Sequence, residues 1–366
     1  MRYTLAAASA LCGIAYALPQ MIDFAALPPP PASELLGPPI DSPPAPIPYN
    51  QAAAIKSVAN DVAAGGIVTP ADSVVGGKAK RNACVAQPRG AGPVPGDGSV
   101  GAYQDPTNVL HKAAQAASTP SGYTQNFVDL SASVQELAYL TYKNIDSGKY
   151  DVQACADFCD HEKLCYGFNI FYERDPAYDQ TSSCNDPTAT TNVKCSIYGY
   201  PVSASTATNP GLYRGQFQVV IVGSNGYSKI NPTCKDAPTL ADFNAPVKLP
   251  GAVNSPSTFI GYTSYTGPFD PSLCATACKS QTQYDKQHLV DANGNYDACN
   301  FFVTYILTKN DVPQGFYCAD YTKPADSSLA NNYGYTSGTD VYKVVCPYSY
   351  TLSVQDPGKT SSSTKP

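Results

Sequence analysis

The chain has 366 residues, a formal net charge of −6, 33 Pro, 27 Gly, 27 Tyr and no Trp. With only 14% charged residues and a net acidic balance, there is no basic stripe to neutralise phosphates, which argues against a nucleic-acid partner. Abundant Tyr and Pro with few charges point to half-buried strands and long connections rather than long helices.

The N-terminal "MRYTLAAASALCGIAYALPQ" has Arg2, a short apolar run and the small residues Ala15 and Ala17. It reads as a secretory signal spanning 1–17 with cleavage after Ala17, the alternative being a buried helix. The run is too short for a membrane span, and "GKTSSSTKP" at the other end lacks the hydrophobic tail of a lipid-anchor signal. A secreted protein, extracellular or cell-wall associated, is expected. Removing the signal takes Cys12 with it and leaves 12 of the 13 cysteines. An even number in an exported chain favours a disulfide framework over metal sites or reactive thiols.

Within residues 18–81, the stretch 28–48, "PPPPASELLGPPIDSPPAPIP", cannot hold regular structure because Pro lacks the N–H and fixes φ. The stretch that follows has room for one short helix before its pattern fades. The region is expected to be disordered and to end at the dibasic Lys80-Arg81, similar to the site of kexin-like proteases. That makes 18–81 a pro-segment; the alternative is an ordinary basic patch in a flexible linker. Residues 82–137 form an N-terminal extension containing Cys84 and an Ala-rich helix with Thr107 as its expected N-cap.

A repeat occupies most of the remainder, with a first copy at 138–235, a linker at 236–258, a second copy at 259–350 and a disordered tail at 351–366. "AYLTY" (138–142) and "GYTSY" (261–265) are short aromatic strands. Each leads into an aromatic-Asp-x3-Cys-Ala-x2-Cys motif, "YDVQACADFC" from Tyr150 and "FDPSLCATAC" from Phe269. Four-residue spacing on a helix sets Cys155 with Cys159, and Cys274 with Cys278, on one face one turn apart. "CYGFNIFY" from Cys165 parallels "CNFFVTYI" from Cys299, and Cys195-Ser-Ile-Tyr198 parallels Cys318-Ala-Asp-Tyr321. "FQVVIVGSNGY" and "DVYKVVCPYSY" each begin 22 residues after Cys195 and Cys318 respectively. Five features in the same order imply duplication, with an insertion between helix and strand in the second copy. The cysteines are read as a structural clamp stapling a helix to a small sheet, each bridge contributing ~2–4 kcal/mol.

A Cys-x3-Cys helix, a Cys opening an aromatic strand and a later Cys-x2-aromatic resemble the PAN/apple module, here in tandem. The arrangement is also similar to a class of secreted fungal proteins. The resemblance implies an α+β fold of two disulfide-stapled modules, each a small antiparallel sheet packed on one helix. It further implies the pairs Cys155–Cys195, Cys159–Cys165, Cys274–Cys318 and Cys278–Cys299. Cys84, Cys184, Cys234 and Cys346 remain, with three connectivities open to them.

Catalytic signatures are sparse. Three His (His111, His161, His288) recur in neither copy and there is no G-x-S-x-G; no metal and no cofactor are expected. The carboxylates of "ERDP", Glu173 to Pro176, have the residue types for glycoside hydrolysis, but read better as the polar end of a strand. "DANGNYD" spaces Asp291, Asn293, Asn295 and Asp297 as calcium loops do, yet has Tyr296 where such a loop needs Gly; it reads as a turn, and so does "GSNGY" (223–227). A non-enzymatic protein binding carbohydrate, cell-wall polysaccharide in particular, or an extracellular protein is therefore expected. Tyr166, Tyr172, Tyr198, Tyr200, Tyr305, Tyr317 and Tyr321 are its candidate ligand-binding residues, since an exposed Tyr stacks on sugar rings and hydrogen-bonds through its hydroxyl. A structural scaffold protein is the alternative, and a carbohydrate-active hydrolase the weaker third.

Overall fold

The computed structural model describes residues 37–38, 47, 49–65, 86–178, 187–229 and 236–360. The signal with Ala17, the dibasic Lys80-Arg81, and Cys84, Cys184 and Cys234 lie outside those residues. In chain order the elements are α1 (Gln51–Ala63), α2 (Val100–Gln104), α3 (Val109–Gln115), β1 (Tyr123–Leu130), β2 (Ser133–Val134) and β3 (Tyr139–Asn144). They continue with α4 (Val152–His161), β4 (Gly167–Pro176), β5 (Ala189–Tyr198), β6 (Ala207–Asn209), β7 (Tyr213–Arg214), β8 (Phe217–Gln218) and β9 (Val220–Lys229). The second half holds β10 (Val247–Lys248), β11 (Phe259–Tyr265), α5 (Pro271–His288), β12 (Phe301–Lys309), β13 (Val312–Tyr321), β14 (Gly334–Ser337) and β15 (Asp340–Thr351). The fold is α+β.

Two antiparallel sheets carry it, ordered β1-β9-β4-β5-β3 and β10-β15-β12-β13-β11. Counted from the aromatic strand that opens each half, the four strands shared by both sheets lie in the order 4-2-3-1, and the outer edge of the last takes β1 in the first sheet and both β10 and β14 in the second. The Asp of each opening motif is a helix N-cap. Asp151 accepts from the Ala154 N–H at 3.0 Å, and Asp270 from the Ser272 N–H at 3.0 Å, so the first turn's orphan donors are satisfied where the strand turns into the helix. The paired cysteines then face the sheet and form Cys155–Cys195, Cys159–Cys165, Cys274–Cys318 and Cys278–Cys299. These are the pairs that the resemblance implies. Cys346 is disulfide-bonded as well.

Beneath α4 lie Phe168, Ile170, Val193, Ile197, Val222 and Tyr227, and beneath α5 lie Phe302, Ile306, Phe316, Tyr348 and Tyr350. The two registers superpose: Phe168 faces Ile197 and Tyr227, as Phe302 faces Asp320 and Tyr350. Asp320 thus occupies the position that the first half fills with Ile197.

Several expectations are corrected. "GSNGY" is strand, within β9, not a turn. What marks it is a bulge: the register slips between Ile170 and Tyr172, and Gly223 takes φ 60° there. The second sheet bulges at the equivalent place, between Thr304 and Ile306, where the disulfide-bonded Cys346 takes φ 56°. A left-handed residue is what a two-against-one bulge needs, and Gly supplies it without steric cost. Gly223→Ala is expected to lower stability by about 1–3 kcal/mol, because the new Cβ would also meet Tyr172, Ala114 and the Leu110 carbonyl within 3.3 Å. An unchanged urea midpoint would contradict this.

The segment 18–81 is not wholly without structure: α1 is capped by Asn50, whose side chain accepts from the Ala53 N–H at 3.1 Å. The i,i+4 pair Val58 and Val62 is buried in the second core. The cap of α3 is Asn108, which accepts from Leu110 and His111 N–H; Thr107 instead donates to Asp105, because the chain turns one residue later than the Ala-rich pattern suggests. The described part of the tail, 351–360, is packed on the second half: the Asp356 N–H donates to Asn300 at 2.7 Å and Tyr296 to the Asp356 carboxylate at 2.7 Å. Residues 82–137 contribute an edge strand, β1, to the first sheet, and 236–258 contribute β10 and the buried Leu249, Ala252 and Val253 to the second half.

Candidate functional site

None of the seven candidate tyrosines presents a ring to solvent; all are at most 3% exposed. Each is covered by a different part of the chain. Tyr198 and Tyr321, the aromatics of the two Cys-x2-Tyr motifs, do the same job in each half: the hydroxyls donate to the carbonyls of Val134 and Val253, both at 2.7 Å. Each pins the segment lying over its sheet's outer face. Tyr172 packs under Tyr150 on the helix side. Tyr166 and Tyr200 lie in the seam between the halves, Tyr166 against Phe269 at 5.5 Å and Tyr200 donating to the Gly267 carbonyl at 2.5 Å.

Tyr305 and Tyr317 are the two that the structure brings together. They pair across β12 and β13 with parallel rings 5.6 Å apart, on the face away from α5. Tyr262 stacks on Tyr317 from β11 at 6.3 Å. Tyr335 and Tyr342, paired across β14 and β15, stack at 4.4 Å with rings 8° apart. Burial is the first cause holding the Tyr317 phenol protonated well above its usual range, and Tyr335, Tyr262 and Tyr342 contribute. Tyr262, Tyr335 and Tyr342 are half-buried, so the row has enclosed members at its floor and accessible ones at its rim; Tyr333, two residues before Tyr335, is 62% exposed. Sequence reading picked out the floor and missed the rim. Strand alternation contained the signal, since Tyr333 and Tyr335 are two apart, but which side is covered depends on loops distant in sequence.

The same positions of the first sheet carry a different chemistry. Phe171 faces Lys194 where Tyr305 faces Tyr317, and Glu173 stands at the position of Leu307. Lys194 Nζ reaches Glu173 Oε1 at 2.5 Å with both side chains enclosed, and sits 5.0 Å from the Tyr142 ring centre. Asn192 donates to Asp175 at 2.6 Å, and Arg214 of the β7–β8 hairpin lies 4.0 Å from the other Asp175 oxygen. Burial, then the Glu173 charge, pushes Asp175 well above the usual carboxylate range. The "ERDP" carboxylates are therefore interior groups with partners, not the lining of a cleft.

Asp291 spends its carboxylate on its own loop, accepting from the Asn293 and Asn295 N–H groups at 2.8 Å, which is the geometry of a turn. Cys278, Cys299 and Asp320 bring potential ligand atoms within 4.8 Å of one another, but both sulfurs are spent in a disulfide and offer no thiolate. A cleft of about 390 Å³ lies between the halves, floored by Val202, Ile306, Pro313 and Val345; it has no aromatic wall.

No family model, no curated protein and no solved structure matches the chain. Among the described residues, no helix is long and apolar enough to cross a membrane.

Proposed function

We propose that this is a secreted, non-enzymatic binding protein built of two PAN/apple-like modules, which recognises extracellular carbohydrate, cell-wall polysaccharide foremost. The support for this reading is the tyrosine row on the outer face of the second sheet. Parallel rings with hydroxyls at their tips suit neutral, hydroxyl-rich polymers, which combine apolar C–H faces with hydrogen-bonding groups. The duplication then has a reason: one copy keeps its outer face shut around an internal ion pair, and the other turns the same positions into a row open at its rim.

The test is retention of the oxidised protein on insoluble chitin, β-glucan and cellulose. Saturable retention on one polymer is expected, falling about tenfold in each of Tyr333→Ala and Tyr342→Ala, a loss of ~1.4 kcal/mol. Absence of retention on all three would remove the sugar reading and leave a protein partner or a scaffold. A structural scaffold of the cell wall is the second reading, favoured by the burial of all seven tyrosines picked out from sequence.

A further inference from the structure

The helix α1 and the residues before it behave as a ligand of the second half that happens to be on the same chain. Tyr49 donates to Asp270 Oδ2 at 2.8 Å and Gln51 Nε2 to the same oxygen at 2.9 Å. Asp270 is 3% exposed, and its other oxygen caps α5. One enclosed carboxylate thus starts α5 and anchors the arriving segment. Val58 and Val62 then bury themselves against α5, with Ala54 and Ile55 packed beside them. The segment also crosses the seam: Ile47 packs on the core of the first half, while Tyr49 lies beside Gly267, whose carbonyl receives the Tyr200 hydroxyl.

Two features of the sequence separate this segment from the body of the protein. Residues 18–81 contain no Cys, so nothing covalent except the backbone holds them. The backbone beyond α1 runs through "GGIVTPADSVVGGKAKR" to Lys80-Arg81.

We propose that α5, Asp270 and the adjoining seam form an acceptor surface for one amphipathic helix, whose partner is the chain's own segment 47–65. The segment binds as a discrete element, stays in place when the backbone is cut at Lys80-Arg81, and holds the two halves together while bound. Its recognition has two parts: Tyr49 and Gln51 read the enclosed carboxylate, and Val58 with Val62 fill the groove, the helix-in-groove mode of peptide recognition. Loss of the segment opens that groove to another helix of the same pattern.

The full-length oxidised protein, cut with a Lys-Arg-directed endoprotease, tests this by native size-exclusion chromatography and mass measurement of each peak. The fragment ending at Arg81 is expected to co-elute with the remainder and to separate only in denaturant. A chain carrying Val58→Asp and Val62→Asp should release it on cutting, and Tyr49→Phe should weaken its hold about tenfold. Should the double variant fail to fold, Tyr49→Phe and a labelled 47–65 peptide offered to the cut wild-type protein give the same reading. Elution of the wild-type fragment by itself at micromolar protein would overturn the proposal. So would retention unaltered by all of these substitutions, since it would then arise from some other surface.

Discussion

Asp320→Asn should flatten the pH dependence of stability between about pH 4 and pH 8. Asp320 lies on β13, facing α5 beside the Cys278–Cys299 bridge, and burial pushes its carboxyl from 3.8 up to about 8. The folded protein keeps this group protonated over a range where the unfolded chain has released the proton. Its contribution is therefore fully present below about pH 4 and is lost as pH rises towards 8. The slope is at most about 1.4 kcal/mol per pH unit, so about 2.7 kcal/mol between pH 5 and pH 7. Asn has nearly the same shape and no proton to lose. The wild type should be the more stable partner at pH 5 and the variant at pH 8, their urea midpoints crossing between. Asp320→Val, which approaches the Ile197 of the other half, should lose the slope in the same way. Parallel pH profiles for wild type and both variants would show that Asp320 is not held neutral.

Glu136 and Asp175 act in the same direction, since burial raises both well above the usual carboxylate range. Glu136 is fully enclosed near Tyr198 and Tyr200, and Asp175 lies on the opposite side of the first sheet from α4. Each of these three enclosed carboxyls contributes more to stability as the pH falls.

Much of the fold was legible because its determinants are local. The spacing of Cys155 and Cys159 places two sulfurs on one helix face whatever lies around them, and the aromatic-Asp pair before each helix is a cap that works within three residues. The duplicated order of motifs likewise pointed to two similar halves, whereas their shared strand order is set by the strand pairing. The tyrosines were legible as strand residues but not as a surface. Tyr198 and Tyr321 are buried by segments around Val134 and Val253, 64 and 68 residues away along the chain, and no local pattern reports that cover. The dipeptide Asn-Gly in "GSNGY" spoke for a turn, and pairing of β9 with both β1 and β4 overrode it. The helix α1 was visible as a short apolar pattern, whereas its docking depends on Asp270, more than two hundred residues further on. The accessible rim of Tyr262, Tyr335 and Tyr342 comes from three separate strands, and only strand pairing makes it one face.

The enclosed ion pair of the first sheet separates a structural site from a catalytic one, because the two predict opposite changes in stability. Lys194 is held protonated: Glu173 and then Asp175 outweigh the burial that opposes its charge. Lys194→Met removes the cation and leaves Glu173 in an interior where it is 0% exposed. An uncompensated buried charge costs about 3–5 kcal/mol, which should appear as a large fall in urea midpoint at pH 7. Lys194→Tyr combined with Glu173→Leu installs the pair that the second half carries as Tyr317 and Leu307, and should recover most of the loss. The double variant being far more stable than either single substitution predicts is the signature of one coupled structural unit. A hydrolytic site would behave otherwise: catalytic groups are held at a cost to the fold, so removing Lys194 or Glu173 would leave stability unchanged or raised while abolishing turnover. A stable Lys194→Met protein would therefore count against the closed, structural reading of the first sheet's outer face and reopen Glu173 as a working carboxylate.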